Sequence, residues 1–421
     1  MTKLLIFGLL LQITWAGAQV KEFTYKAQSK DAFVKEIALP LDWTFKVPTS
    51  SNNAYDPYLN FWTQRQFLYP KNTDLIDKTF KKAEQFTKLS PTEFKRLDLY
   101  LTRARPIMDN ALEMASGDSF QKTSSDLNFD LYSPTRWLVR NLSYEALFSF
   151  RKNDLKSSLK TISKAWEFSQ DFDQQGGCIL DRLVALAMKG ITLQRIQWMI
   201  QHSSSPKVIH YLRNLIKDEP PINWKATLVC EIDFGINIMY QERHHKSLGE
   251  RIDLTANMLA QGSYPLDAEE LYNFEAITAK EALQYPRLMH HTYAFWLSKM
   301  DPIHNQLSWT HQELGEALYS PYPLLETGTS MYFAMSMLHT VRLKITDKSN
   351  QQRATYLAAS IRLFQMKYKG LPKTLESLLK AKLVSHENLL TRNGHRFDYS
   401  IEKRQIIYFD ALTKRHRTVN F

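Results

Sequence analysis

Two acids interrupt an apolar run: Cys230-Glu231-Ile232-Asp233 is followed by Gly235-Ile236 and Ile238-Met239. Carboxylates in such a stripe either pair inside with a cation, such as Arg182 or Arg195, or line a groove where they can act on a substrate. Histidine pairs invite a metal reading, at His244-His245 and His290-His291, with His304 and His311 beyond. Neighbouring residues on a helix point about 100° apart, so paired histidines rarely share one ion. No H-E-x-x-H occurs, and the expectation is surface or capping histidines with no metal site. Cys178 follows Gly176-Gly177 at a helix start, where the helix dipole favours a thiolate. Ile179 and Leu180 then begin a core stripe, which makes a buried, inert thiol the expected role. Cys178 and Cys230 either pair or stand apart, since spacing says nothing of geometry.

The hydrolase elbow G-x-S-x-G, the phosphate-binding G-x-x-x-x-G-K-[ST] and the dinucleotide fingerprint G-x-G-x-x-G are all missing. Glu376-Ser377 is the one dipeptide suggesting a lytic transglycosylase, and it follows Pro372 without the rest of that pattern. No residue is therefore assigned as catalytic, cofactor-binding or metal-binding. Aromatic residues make up 12% of the chain, with Tyr285, Tyr293, Phe295, Trp296 and Trp309 close together. Most belong in a core, and a few lining a groove would suit sugars or peptides.

The elements that must position these groups are mostly helical. Only 13 of 421 residues are Gly, about half the usual share, which disfavours a turn-rich sandwich. Apolar residues at 44% and charged ones at 23% exclude a disordered chain and a multi-span membrane protein. Lys3, the apolar run Leu4 to Trp15 and Ala16-Gly17-Ala18 form an export signal over residues 1–18, so the mature chain is expected to begin near Gln19. An uncleaved anchor is the alternative. Residues 19–73, with Pro40, Pro48, Pro57 and Pro70, read as an irregular lead-in with at most short elements.

A helical body is expected over 74–349. Ser90-Pro91-Thr92-Glu93 opens one helix towards Ser116-Gly117, and Ser133-Pro134 opens another. Asp154 caps a third with the stripe Leu155, Leu159, Ile162, Trp166, antiparallel to the one before it. After Gly176-Gly177 comes the most apolar helix, from Leu180 to Met199. Ser205-Pro206, Pro220-Pro221, Asp267 with Glu270, Pro286 and Pro302 punctuate the remainder. A C-terminal α+β cap is expected over 350–421, with a helix to Tyr368 and a β-hairpin of Arg396 to Ile401 with Gln405 to Asp410. The fold class is thus mostly α, an array of about ten helices, helical-repeat-like, with a small cap. The sequon Asn141-Leu142-Ser143 lies within a helical pattern and is not expected to carry a glycan.

Tyr144, Ala146, Phe150, Asn153-Asp154, Leu159 and Ala165 resemble one tetratricopeptide-type hairpin, without a second copy at the roughly 34-residue period. With Asn53-Ala54-Tyr55, the Asp-Leu-Tyr-Ser run at 130 to 133 and Leu180 to Met188, the layout is similar to a group of exported bacterial proteins of unknown function. Tyr368-Lys369-Gly370-Leu371-Pro372, then Leu375 and Leu378, resembles the soluble part of type II secretion pseudopilins. That resemblance implies a helix ending at Gly, a second opening at Pro and a small sheet. The prepilin cleavage motif is missing, and Thr391-Arg392-Asn393-Gly394 stands where Asp-Pro is common, so assembly as a pilin is not implied.

The formal charge of +11 favours anionic surfaces, and for an exported chain these are lipid headgroups or envelope polymers rather than nucleic acid. The densest basic runs, Lys403-Arg404 and Lys414-Arg415-His416-Arg417, read as solvated faces. The expected function is a periplasmic scaffold or binding protein, without a cofactor, contacting a protein or anionic envelope polymer, with peripheral contact to an anionic membrane. Extracellular or membrane-anchored placement is the alternative location. The alternative function is an envelope hydrolase using a cleft around Glu231 and Asp233.

Overall fold

The structure is a computed structural model that describes residues 40–47, 50, 52–64, 89–125, 129–218, 220, 222–245, 290, 293–294, 297–298, 300–301, 306–307 and 329–421. The signal segment, the Asp267 box and His291, His304 and His311 lie outside them, as do Tyr285, Phe295, Trp296 and Trp309. In chain order the helices are α1 (Tyr55–Thr63), α2 (Pro91–Met114), α3 (Phe129–Arg151), α4 (Leu155–Gln174), α5 (Ile179–His202), α6 (Pro206–Leu215) and α7 (Trp224–His245). Two short strands, β1 (Met300–Asp301) and β2 (Gln306–Leu307), precede α8 (Thr329–Tyr368) and α9 (Glu376–Lys380). Strands β3 (Asp398–Ser400), β4 (Gln405–Asp410) and β5 (Arg415–Asn420) close the chain. Helix takes up 66% of the interpretable residues, so the mostly α fold with a small α+β cap is what forms. No helix among the described residues is long and apolar enough to cross a membrane.

Two compact units divide the chain. The larger comprises Lys46–Thr227, Asp301–Gln306 and Thr340–Phe421; the smaller is drawn from Met1–Phe45, Leu228–Met300 and Leu307–His339. Among the described residues of the smaller unit, Tyr293 is buried and Trp43 meets His290 edge-on at 4.7 Å.

In the larger unit, α2 starts as its sequence dictates. Ser90 Oγ accepts from the Glu93 amide, and the Ser90 amide donates back to the Glu93 carboxylate at 2.9 Å. Asp154 likewise accepts from the Ser157 amide at the start of α4. The turn before it holds Asn153 at φ 63°, a left-handed position that asparagine tolerates. So tight a turn folds α4 back on α3, and Ser158 Oγ reaches the Ala146 carbonyl at 2.7 Å across the seam. Asn141 and Ser143 are buried there, which closes the sequon to a glycan.

Helix α3 corrects one expectation: it begins at Phe129, and Pro134 sits in its second turn rather than opening it. An interior proline loses one hydrogen bond and costs about 3 kcal/mol. Burial of Leu131 and Tyr132 on the preceding turn offsets that, and Thr135 Oγ1 donates to the Leu131 carbonyl.

Among the described residues three apolar clusters fill this unit. One joins α1 to α2 through α5, with Tyr55, Tyr58 and Trp62 against Met108, Leu142, Phe168 and Met188. The region read as irregular lead-in therefore contributes a helix to the core. A second joins Leu147, Trp166, Ile196, Met199 and Leu212 to Tyr356, Ala359 and Leu363 of α8. The third lies between α8, α9 and the sheet. Helix α8 runs unbroken through the boundary expected at 349, and its last five turns serve the second and third clusters at once.

The sheet corrects a second expectation. It has three antiparallel strands in the order β3-β4-β5 where a two-stranded hairpin was expected, and the basic run at 415–417 lies in the added outer strand. Ile406 faces Val419 and Phe409 faces His416 across the β4-β5 ladder.

Candidate functional site

Helix α5 positions the chemistry-bearing groups of the larger unit. Gly176 turns into it at φ +74°, and Gly177 is needed for a different reason: a Cβ there would lie 2.5 Å from Asp181 Oδ2. Asp181, in the first turn, accepts from the Cys178 amide at 2.8 Å and from Tyr132 Oη at 3.0 Å, and pairs with Lys122 Nζ at 2.9 Å. Both side chains of that pair are essentially sealed from solvent. One acid meets one cation, and nothing is left over to act on a ligand. Cys178 and Cys230 are both disulfide-bonded, so neither is available as a thiolate nucleophile or metal ligand.

The next residue, Arg182, donates to Asp173 Oδ1 at 2.9 Å and to the Asp173 carbonyl, while its Nε reaches Thr227 Oγ1 at 2.7 Å. Glu231 and Asp233 are half-buried on α7. Arg195 lies over the Tyr144 ring at 5.1 Å. Lys189, two turns after Arg182, is the second cation on Asp173, at 2.5 Å. Burial pushes the Asp173 carboxyl up, but Lys189 and Arg182 outweigh it and hold the group below its ordinary range.

Asp173 and Lys189 line a narrow cleft at the surface. Trp166 of α4 and Leu186 and Leu193 of α5 supply apolar wall, completed by Ile222 and, from α8, Ile345. Lys348 and Gln352 of α8 supply polar groups. Lys348 Nζ donates to Gln351 Oε1 at 2.9 Å, and burial pulls its pKa down, against the opposing pull of Asp347. Gly190 makes room for this ammonium, since a Cβ there would stand 3.3 Å from Lys348 Nζ. A glycine in mid-helix costs about 1 kcal/mol relative to alanine, so the space comes with a loss of helix stability.

The cleft is lined by two lysines and a single acid, and that acid is already held by two cations. Such an arrangement suits the binding of a carboxylate or phosphate group beside an apolar surface; it does not supply the two convergent carboxylates of glycoside hydrolysis. Next to the cleft, Asp347 is pushed up by burial and by Asp410, whereas Asp410, buried but bonded to Thr413, Arg417 and two amides, is held down. Tyr408 is raised by burial and by the Asp347 charge beside it.

The sequence did not single out Asp173, Lys189 or Lys348. Asp173 and Lys189 look like surface charges on amphipathic helices, and only the interior Gly190 signals that something approaches α5 there. No protein-family model, curated protein or solved structure matches this chain.

Proposed function

We propose that this chain is an exported helical binding protein that takes an anionic group of a protein or envelope polymer between Lys189 and Lys348. The observation that carries the reading is the surplus of positive charge in an apolar-walled cleft. Export draws support from the disulfide, which persists in oxidising compartments, and from the N-terminal signal pattern. The layout resembling exported bacterial helical proteins agrees with it.

The test is a crosslinked pull-down from periplasm with the full chain and with Lys189→Gln/Lys348→Gln. The expected result is a partner or polymer captured by the first and lost with the second, and equal capture by both would overturn the cleft as the site. Alkylation of whole cells with a thiol reagent checks location, since an exported chain should show no reactive cysteine. Turnover of an envelope polymer that Glu231→Gln abolishes would replace this reading with the hydrolase.

A further inference from the structure

Positive charge is concentrated at one end of the sequence. Residues 367–421 hold twelve Lys or Arg against five Asp or Glu, a net of +7 out of +11 for the whole chain. The backbone shows where it is displayed. Among the described residues five non-glycines adopt positive φ, and four of them are the cations Lys369, Lys382, Arg404 and Lys414, all exposed. Glycine or asparagine suits such turn positions best, so these turns carry charge at a conformational cost.

Two of the four close the hairpins of the terminal sheet. Lys403 and Arg404 lie in the β3-β4 turn, with Lys414 and Arg415 at the β4-β5 turn. All four side chains are exposed and make no ion pair among the described residues, in contrast to Arg417, which is held by Asp410. The two turns lie at opposite ends of β4, about 20 Å apart for six residues. Alternation along β4 sends Ile406 and Tyr408 inward against α8 and leaves Ile407 and Phe409 on the outer face. Phe409 is 52% exposed beside His416, and Ile401, in the first turn, is 43% exposed.

We propose that the outer face of this sheet docks on an anionic lipid surface. The cations flank an open sheet face, so they match an extended planar array of charge better than a single bound strand. Exposed Phe409 and Ile401 beside them are side chains that a headgroup layer accommodates and water does not. This inference is independent of the cleft.

Sedimentation of the full chain with vesicles tests it, using phosphatidylcholine alone or mixed with phosphatidylglycerol. Binding is expected only to the mixed vesicles and should weaken as salt is added. The quadruple variant Lys403→Glu/Arg404→Glu/Lys414→Glu/Arg415→Glu should lose at least about a hundredfold in partitioning, given roughly fivefold per basic residue. Phe409→Ser should lose about tenfold with an unchanged melting curve. Lys189→Gln/Lys348→Gln should bind vesicles as the parent does, which separates this proposal from the cleft. No binding to mixed vesicles, equal binding to neutral ones, an unaffected quadruple variant, or equal competition by soluble polyglutamate would each overturn it.

Discussion

Helix α5 carries two ion-pair clusters of opposite character. At its first turn Asp181 meets Lys122 in a one-to-one pair sealed from solvent and completed by Tyr132 and the Cys178 amide. Further along, Asp173 meets two cations, Arg182 and Lys189, at the edge of a cleft that receives a third, Lys348. The first cluster is balanced and closed, so its charges serve the fold. The second has positive charge in excess and an opening, which is what a site for an anion requires. Burial alone therefore does not set the two clusters apart; stoichiometry and access do.

The comparison breaks most readily at the closed end. Lys122→Met leaves Asp181 buried without its cation, and the expected loss is about 3–5 kcal/mol in denaturant unfolding. Adding Asp181→Asn should recover part of it, because an uncompensated charge then disappears. At the open end, Lys189→Met leaves Asp173 with Arg182, and a loss of only about 1–2 kcal/mol is expected. Equal losses at the two ends would erase the distinction.

Gly190→Ala is a finer probe. Better helix propensity contributes up to about 1 kcal/mol, displacement of Lys348 offsets it, and stability should move by less than about 1 kcal/mol either way. Capture of an anionic partner should nonetheless fall, since the ammonium is pushed from its place.

The smallest effect concerns pH. The Asp347 carboxyl is raised, so the folded state binds its proton more tightly than the unfolded chain and loses stability as pH rises through the folded pKa. Asp347→Asn should be neutral or stabilising at pH 8 and lose any advantage at pH 4, read from melting temperatures. Asp173 and Asp410 run the other way. Their depressed values contribute stability above the unfolded carboxylate range, and it drains away as pH falls through the folded values.

Local signals carried much of the fold. The Ser90 box, the Asp154 cap and the glycine break before α5 each appear where residue chemistry places them, because a cap is satisfied within three residues of itself. Long-range compensation stayed hidden. Pro134 looked like a helix start because its offset comes from Leu131 and Tyr132 packing on distant helices. The boundary expected at 349 falls within the polar run from Thr346 to Gln352, yet Ser349, Asn350 and Gln352 are buried. Asn350 accepts from the Arg392 amide, and Gln352 donates to the Ile216 carbonyl. Strand β5 lacked the alternation of a strand because its inward positions include Arg417, matched by Asp410 rather than by apolar packing. Lys122 was illegible for the same reason, being a lysine in a polar loop whose partner is on another element.

The second half of α8 also sets the order of assembly. Thr355 meets Gln197 across 158 residues, and Asn420 meets Gln201 across 219. Tyr356, Ala359 and Leu363 complete a cluster whose other members come from helices α2 to α6. A chain emerging from the ribosome can form the α3-α4 hairpin early, but the wall of that cluster is missing until α8 has been made. Closure of that cluster is thus held back to the end of synthesis.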